Sequence, residues 1–324
     1  MLYVGRRGGM EEEIVPAHGL ALEGIDISGI QPEMWKNWRL AYQLPTAVAR
    51  ARRLLRRFDP AVVFGTGGYV VGAVGAAAVL DRRPLFLMVP DAYPGRTIRA
   101  LGPRARTVFS AFEATAAFLP RARVRLTGTP LRKEFWNLPD REISAVGRVL
   151  VFGGSQGARR LNRAVEEALK DLMELPGLSI HHICGALDHD GLELFRRALP
   201  AEVQARYRLE AFNDDMVSAL RAADLVIARA GGGVAELTAV GVPMILVPGA
   251  FAGGHQHHNA EPLATAGAAV VVPDAEFSGV RLATEVRRLV ADPARLQAMA
   301  RASRAQGRPR AALEIARELL EGAR

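Results

Sequence analysis

The stretch Val149–Asn162 reads VLVFGGSQGARRLN. Four apolar residues pass into two glycines, a Ser-Gln pair and a third glycine, and then into a basic amphipathic segment. A short apolar run bounded by glycine reads as a buried strand, and the i, i+3, i+4 spacing that follows reads as a helix. A strand that turns this tightly into a helix leaves the first backbone N–H groups of that helix unpaired at its positive end. Gly153 and Gly154 let a ligand approach the main chain, and Ser155 adds a hydroxyl at the same spot. The guest that suits such a tip is a phosphate or diphosphate. The same glycines equally serve a plain strand–helix turn, so the stretch defines a fold unit before it defines a ligand.

The pattern repeats along the chain. Strands are expected at Leu2–Val4, Val62–Phe64, Leu85–Met88, Val124–Leu126, Val149–Phe152, Ser179–Ile183, Leu225–Ala228, Met244–Val247 and Ala269–Val272. They are rich in Val, Leu and Ile without polar alternation, as in parallel sheets covered on both faces. Helical spacing fills the gaps at Thr46–Arg57, Gly68–Leu80, Arg159–Met173, Asp215–Ala222, Val234–Val240 and Asn259–Ala266. Strand–helix alternation of this kind predicts an α/β fold, doubly wound. The segment Pro130–Gly147 is polar, holds two prolines and precedes a fresh strand. The chain therefore reads as two Rossmann-like halves, residues 1–145 and 146–308, meeting at a cleft beside the carboxyl ends of both sheets. A last helix within 309–324 is expected to return to the first half.

Composition sets outer bounds. The 324 residues suffice for two domains, and 49% hydrophobic with 23% charged residues is a globular profile. No run of 18 uncharged apolar residues is present to span a bilayer. The opening MLYVGRRGGMEEE lacks the layout of a signal peptide, and the single cysteine, Cys184, suits a reducing compartment. A cytoplasmic location follows as an expectation. The net charge is +8, and all but three of the 42 basic residues are arginines. A basic surface suits nucleic acid, anionic lipid or phosphorylated substrates.

Four further stretches carry chemistry. Arg229–Glu236, RAGGGVAE, follows an apolar strand, and its glycines open a helix with Glu236 in or near the first turn. A diphosphate against Gly232, Gly233, Val234 and Ala235, with a ribose against Glu236, would use every feature; a simple helix-start acid is the alternative. Gly253–Ala260, GGHQHHNA, brings His255, Gln256 and Asn259 to one helix start. A zinc reading of its three histidines is rejected, since no fourth ligand of matching type is evident. Phe64–Val70, FGTGGYV, is again strand, glycines and helix, and Thr127–Arg132, TGTPLR, offers Arg132 to a phosphate, or to the surface of a hinge. His181 and His182 lie in a strand and read as packing. No GxxxxGK[ST] or strand-following GxGxxG motif appears, which disfavours P-loop and dinucleotide chemistry, and Cys184 has no partner for nucleophilic work.

Together these stretches resemble the MurG family, the UDP-N-acetylglucosamine–N-acetylmuramyl-(pentapeptide) pyrophosphoryl-undecaprenol N-acetylglucosamine transferases. The likeness runs in order along nearly the whole chain. It includes GGMEEEIVPAHG (Gly8–Gly19), FGTGGYV, TGTPLR, the opening stretch, FNDDM (Phe212–Met216), RAGGGVAELTAVGVPMILVP and HQHHNAEPLATAGAA. The resemblance implies a GT-B fold and inverting transfer of GlcNAc from UDP-GlcNAc to the undecaprenyl-diphosphate-linked muramoyl-pentapeptide, lipid I to lipid II. It implies a role in peptidoglycan synthesis, cell shape and division, with no cofactor and no metal. By the same resemblance Ser155 lies at the donor, Glu236 holds the ribose, and Gln256 and Asn259 stand near the sugar with His255 beside them. Arg132 matches the basic residue of the family's Asn-Pro step, and Asn213 sits at the uracil pocket. Asp91, in MVPD, stands where the family usually has Asn. Family members begin with a strand and a GGTGGH-like loop that carry the acceptor-side Thr and His. This chain opens at LYVG, which corresponds to the second strand, so the catalytic base is left unassigned and a first domain lacking a central strand is expected to be poorly stable. The residues alone also admit a differently specific GT-B enzyme, a UDP-GlcNAc epimerase or a non-catalytic nucleotide-sugar binder.

Met34–Phe58, MWKNWRLAYQLPTAVARARRLLRRF, mixes Trp35, Trp38, Leu40 and Tyr42 with Arg50, Arg52, Arg53, Arg56 and Arg57. Aromatics and arginines together suit an anionic membrane surface, and the resemblance places this region on the membrane side, at the cytoplasmic face. An amphipathic helix with a solvated arginine face is the alternative. No aromatic-basic RNA motif appears, so nucleic acid is not expected as a partner.

Overall fold

The computed structural model describes residues 1–27, 38–143, 145–154, 157–249 and 254–323, with backbone alone at 38–42. The chain divides into two compact units: Met1–Thr127 with Leu313–Arg324, and Gly128–Ala312.

Unit 1 runs β1 (Leu2–Arg6), α1 (Glu11–Ala17), β2 (Ala21–Ile25), α2 (Trp38–Phe58), β3 (Val63–Gly65), α3 (Gly68–Leu80), β4 (Leu85–Val89), α4 (Arg96–Leu101), β5 (Thr107–Ser110) and β6 (Val124–Leu126). Every pairing is parallel, but the strands form two sheets, β1–β2 and β3–β4–β5–β6. Among the described residues neither β1 nor β3 has a second ladder partner. β4 and β5 are buried at every position, whereas Tyr3 of β1 and Phe64 of β3 are 41% and 38% exposed. Ile25 and Ile27 nevertheless share one apolar cluster with Val63, Leu85, Leu87 and the helices α2 and α3. Small residues let α3 sit close: Ala73, Gly75, Ala77 and Ala78 are buried, and a methyl on Gly75 would fall 2.6 Å from Leu101.

Unit 2 runs β7 (Arg148–Phe152), α5 (Arg159–Met173), β8 (Ser179–Ile183), α6 (Ala186–Arg197), α7 (Ala201–Gln204), β9 (Tyr207–Glu210), α8 (Met216–Ala222), β10 (Leu225–Ala228), α9 (Val234–Val240), β11 (Met244–Leu246), α10 (His255–Thr265), β12 (Ala269–Val271), α11 (Gly279–Val290) and α12 (Pro293–Gln306). The sheet is fully parallel in the order β12–β11–β10–β7–β8–β9. The chain winds outward from β7 in one direction and from β10 in the other, and Phe152 stands opposite Ala228 where the direction reverses. In open α/β sheets, ligands bind beyond the carboxyl ends of the strands at such a reversal.

The boundary between units falls at Thr127–Gly128, earlier than the 145–146 expected from polarity and proline content. The polar segment is bound into unit 2 by its own side chains. Phe135 is fully buried, Arg304 donates to the Leu138 carbonyl and pairs with Asp140, and Arg141 pairs with Asp224. The last helix, α13 (Ala311–Gly322), belongs to unit 1 from Leu313 onward. There Ile315 joins Phe86, Met88 and Phe109, and Glu318 accepts from Thr107 and pairs with Arg125.

Candidate functional site

Two glycine turns leave the paired strands β7 and β10 side by side. The first spans Gly153–Ala158 and is closed by a hydrogen bond from Gly157 N to Gly154 O. Gly154 and Gly157 take φ of +92° and +74°. Glycine is required twice over at 157, because a Cβ there would stand 2.2 Å from the Cys184 carbonyl oxygen. Among the described residues no side chain caps α5, and the first N–H groups of this 15-residue helix face the turn. Ser155, expected at the donor, lies with Gln156 outside the described residues.

The second turn, Arg229–Gly233, opens α9, again with no side-chain cap. Gly233 lies against the Phe152 ring, which sets the second turn beside the end of β7. Arg229 donates to the Val247 carbonyl and pairs with Asp274, which Arg160 of α5 also reaches at 3.3 Å. Asn259, fully buried, donates to the Ala230 carbonyl at 2.9 Å, and Gln256 Oε1 accepts from Gly249 N at 2.8 Å. Both therefore hold the main chain of the turn and of the strand end beside it. His255 opens the same helix, α10. No group of three His, Cys, Asp or Glu placed to hold a metal is found among the described residues.

Glu236 lies in the first turn of α9, with Gly232, Gly233, Val234 and Ala235 immediately before it. Burial pushes its carboxyl above the usual range, and the Arg132 guanidinium, 3.8 Å away, opposes that shift. Arg132 stacks over Phe135 and also favours the ionised form of Asp215, the N-cap of α8. It thus bridges the FNDDM and RAGGGVAE stretches. Asn213, in the first of these, donates to Glu210 at 2.7 Å. Glu210 is held down at about 2 against its own desolvation by hydrogen bonds from Asn213, His181 and Arg208. Unit 2 gathers these expected residues at one end of its sheet. Asp91 belongs to unit 1, following β4, next to Ala92, whose carbonyl accepts from Thr115.

A buried group behind the first turn was not anticipated: Asn162, His182, Tyr207 and Asp188. The available signals were an Asn on the apolar face of α5 and a histidine pair in an apolar strand. Cys184 is buried beside them, its thiol pushed up to about 11 by desolvation, which leaves it protonated and inert.

A model of the glycosyltransferase family 28 C-terminal domain matches residues 148–315, and one of the N-terminal domain of that family matches residues 2–110. A Nitrosococcus oceani protein described as UDP-N-acetylglucosamine--N-acetylmuramyl-(pentapeptide) pyrophosphoryl-undecaprenol N-acetylglucosamine transferase is 40% identical over 329 residues, covering 99% of this chain and 90% of the relative. One of the same description from Halothermothrix orenii is 36% identical over 325 residues, covering 95% and 87%. The crystal structure of MurG from Acinetobacter baumannii superposes with a TM-score of 0.77 at 27% identity, covering 98% of this chain and 90% of that one.

Proposed function

Since the chain belongs to glycosyltransferase family 28, with the GT-B pair of Rossmann-like α/β domains, we propose that it transfers GlcNAc from UDP-GlcNAc to an undecaprenyl-diphosphate-linked muramoyl-pentapeptide, the step from lipid I to lipid II. The observation that carries this reading is the pair of adjacent glycine turns after β7 and β10, each of which leads into a helix.

The UDP diphosphate lies against those two turns and its ribose against Glu236, whose carboxylate accepts from the sugar hydroxyls. The acceptor hydroxyl attacks the anomeric carbon from the face opposite the diphosphate, and the bond from that carbon to the diphosphate oxygen breaks with inversion. Charge that builds on the departing oxygen is met by the N–H groups at the start of α5, by the glycine amides of the second turn and by the Arg132 guanidinium. The hydroxyl proton passes to a base not assigned among the described residues. Asn259 and Gln256 act on this chemistry by holding the turn.

Unit 1 takes the lipid acceptor at an anionic membrane surface, on the cytoplasmic face. Exposed Met10, Ile14, Leu44 and Phe58 support this. The arginines contribute less than their number suggests. Arg52 and Arg56 pair with Asp81, Arg50 with Asp26 and Arg57 with Glu23, leaving Arg53 the more available of the five. Trp35 lies outside the described residues, as do the side chains of Trp38, Leu40 and Tyr42.

The test is UDP release from UDP-GlcNAc with and without a lipid I analogue. Release that requires the acceptor, with a disaccharide-lipid product, supports the transferase. Binding without turnover indicates a nucleotide-sugar binder, and formation of a 2-epimer without acceptor indicates an epimerase.

A further inference from the structure

We infer that His182 is a positioning residue that seats the first glycine turn for the diphosphate by orienting Asn162; the inference rests on the reading of that turn as part of the donor site. His182 lies on β8 with no solvent exposure, two strand positions before Cys184. Its Nδ1 stands 2.9 Å from the Tyr207 hydroxyl and its Nε2 3.0 Å from Asn162 Oδ1.

The protons in this group are determined by its ends. Asn162 Nδ2 lies 2.8 Å from the Cys184 carbonyl and 2.8 Å from Asp188 Oδ2, and both of these only accept. The amide must therefore turn its nitrogen toward them and its oxygen toward the histidine. Facing an acceptor, His182 Nε2 must carry the hydrogen. Nδ1 is then the lone-pair nitrogen and accepts from the Tyr207 O–H. Burial holds the ring down at about 3, with His181 acting in the same direction and Asp188 opposing, so the neutral form is the one present. Every polar atom in the chain Tyr207, His182, Asn162, Asp188 has a partner.

Asn162 is the link to the donor. Its backbone N closes the first turn of α5 onto the Ala158 carbonyl, and its side chain grips the Cys184 carbonyl. That same carbonyl is the surface on which Gly157 rests, where a Cβ would collide. One amide thus sets the distance between the start of α5, which supplies the N–H groups, and the end of β8, which supports the turn. With no donor at His182 Nε2, Asn162 Oδ1 is left buried without its partner, and the amide's grip on the Cys184 carbonyl, which supports the turn, is loosened.

Two substitutions separate the halves of the ring. His182→Gln puts an amide N–H where Nε2 stands and keeps the contact to Asn162. His182→Asn puts an amide oxygen where Nδ1 stands and keeps only the contact to Tyr207. Calorimetric titration with UDP, alongside kcat and KM for UDP-GlcNAc, reads the result. The glutamine variant is expected to bind UDP within about threefold of wild type, and the asparagine variant about tenfold or more weakly, with the loss in KM rather than kcat and with similar melting temperatures for both. Equal loss in the two variants, or none in either, overturns the inference. Wild-type protein that binds no UDP overturns the donor-site reading itself and the inference with it. Should the asparagine variant not fold, nitrogen-15 spectra of the histidines in wild type decide: a neutral Nε2–H tautomer for His182 that persists to about pH 5 supports the relay, and an Nδ1–H form or an imidazolium there refutes it.

Discussion

Arg132, from the segment before β7, and Glu236, from the first turn of α9, stand 3.8 Å apart as an ion pair. Arg132 is half exposed and Glu236 is largely covered, so the pair is an electrostatic arrangement of the site rather than a source of stability. On the proposed reading each partner meets a different part of the nucleotide. Glu236→Ala should weaken UDP-GlcNAc binding by about 1–3 kcal/mol, the usual cost of lost polar recognition. Arg132→Met should weaken UDP about tenfold or more while leaving uridine, which has no phosphate, nearly unchanged. Titration calorimetry with both ligands checks this, and equal losses for UDP and uridine would remove Arg132 from the diphosphate.

The same pair sets a pH dependence. Glu236 must be ionised to accept from a ribose, and burial raises its carboxyl above the usual 4.5. UDP affinity should therefore fall on acidification at a pH above that value, and Arg132→Met should shift the fall further upward. For folding the sign is opposite. A carboxyl whose folded-state value is raised contributes stability at low pH, and this contribution is lost as pH rises through the folded value. Binding and stability profiles that move in the same direction through this window would contradict the assignment.

Two glycines of one turn should respond unequally to a methyl group. At Gly154, φ is positive but nothing among the described residues lies within reach of a Cβ, so Gly154→Ala should cost about 1–2 kcal/mol of backbone strain. At Gly157 the Cβ would also meet the Cys184 carbonyl, a backbone atom that cannot swing aside. Gly157→Ala should cost distinctly more and lose UDP binding. Urea denaturation of the two variants makes the comparison.

In unit 1, Glu318 ties α13 to β5 and β6 through Thr107 and Arg125. Glu318→Leu leaves the buried Thr107 hydroxyl without an acceptor and should destabilise unit 1 by about 1–3 kcal/mol. A denaturation midpoint unchanged from wild type would show that water replaces the carboxylate at no cost.

The parts of the fold legible in the sequence were those written in local pattern. β8, β10, α3, α5 and α9 run where their apolar spacing and flanking glycines place them. Three strands were not read. β9, Tyr-Arg-Leu-Glu, is a polar edge strand, and β2 alternates too weakly around Gly24. β5, Thr-Val-Phe-Ser, is fully buried, yet it begins and ends on hydroxyls, and the partner that satisfies Thr107 lies on the last helix of the chain. The start of α12 was announced by Asp292 and Pro293, an N-cap acid before an N1 proline, and went unread. The glycine turns and the place of Glu236 in the first turn of α9 were legible because strand, glycines and helix start lie in one local stretch. Asn162 and His182 were not, because their role depends on a contact between two elements that neither element's own periodicity encodes. The domain boundary moved for a similar reason, since a polar segment can be bound by distant arginines.

The division of unit 1 into two sheets gives its strands unequal access to solvent exchange. Amide protons of β4 and β5, enclosed on both sides, open to deuterium only when the whole unit lets go. Those of β1 and β3 that point along the unshared flanks have no partner strand among the described residues. Loosening of the protein should begin there, with unit 2, whose six strands form one ladder, the last to yield its protons.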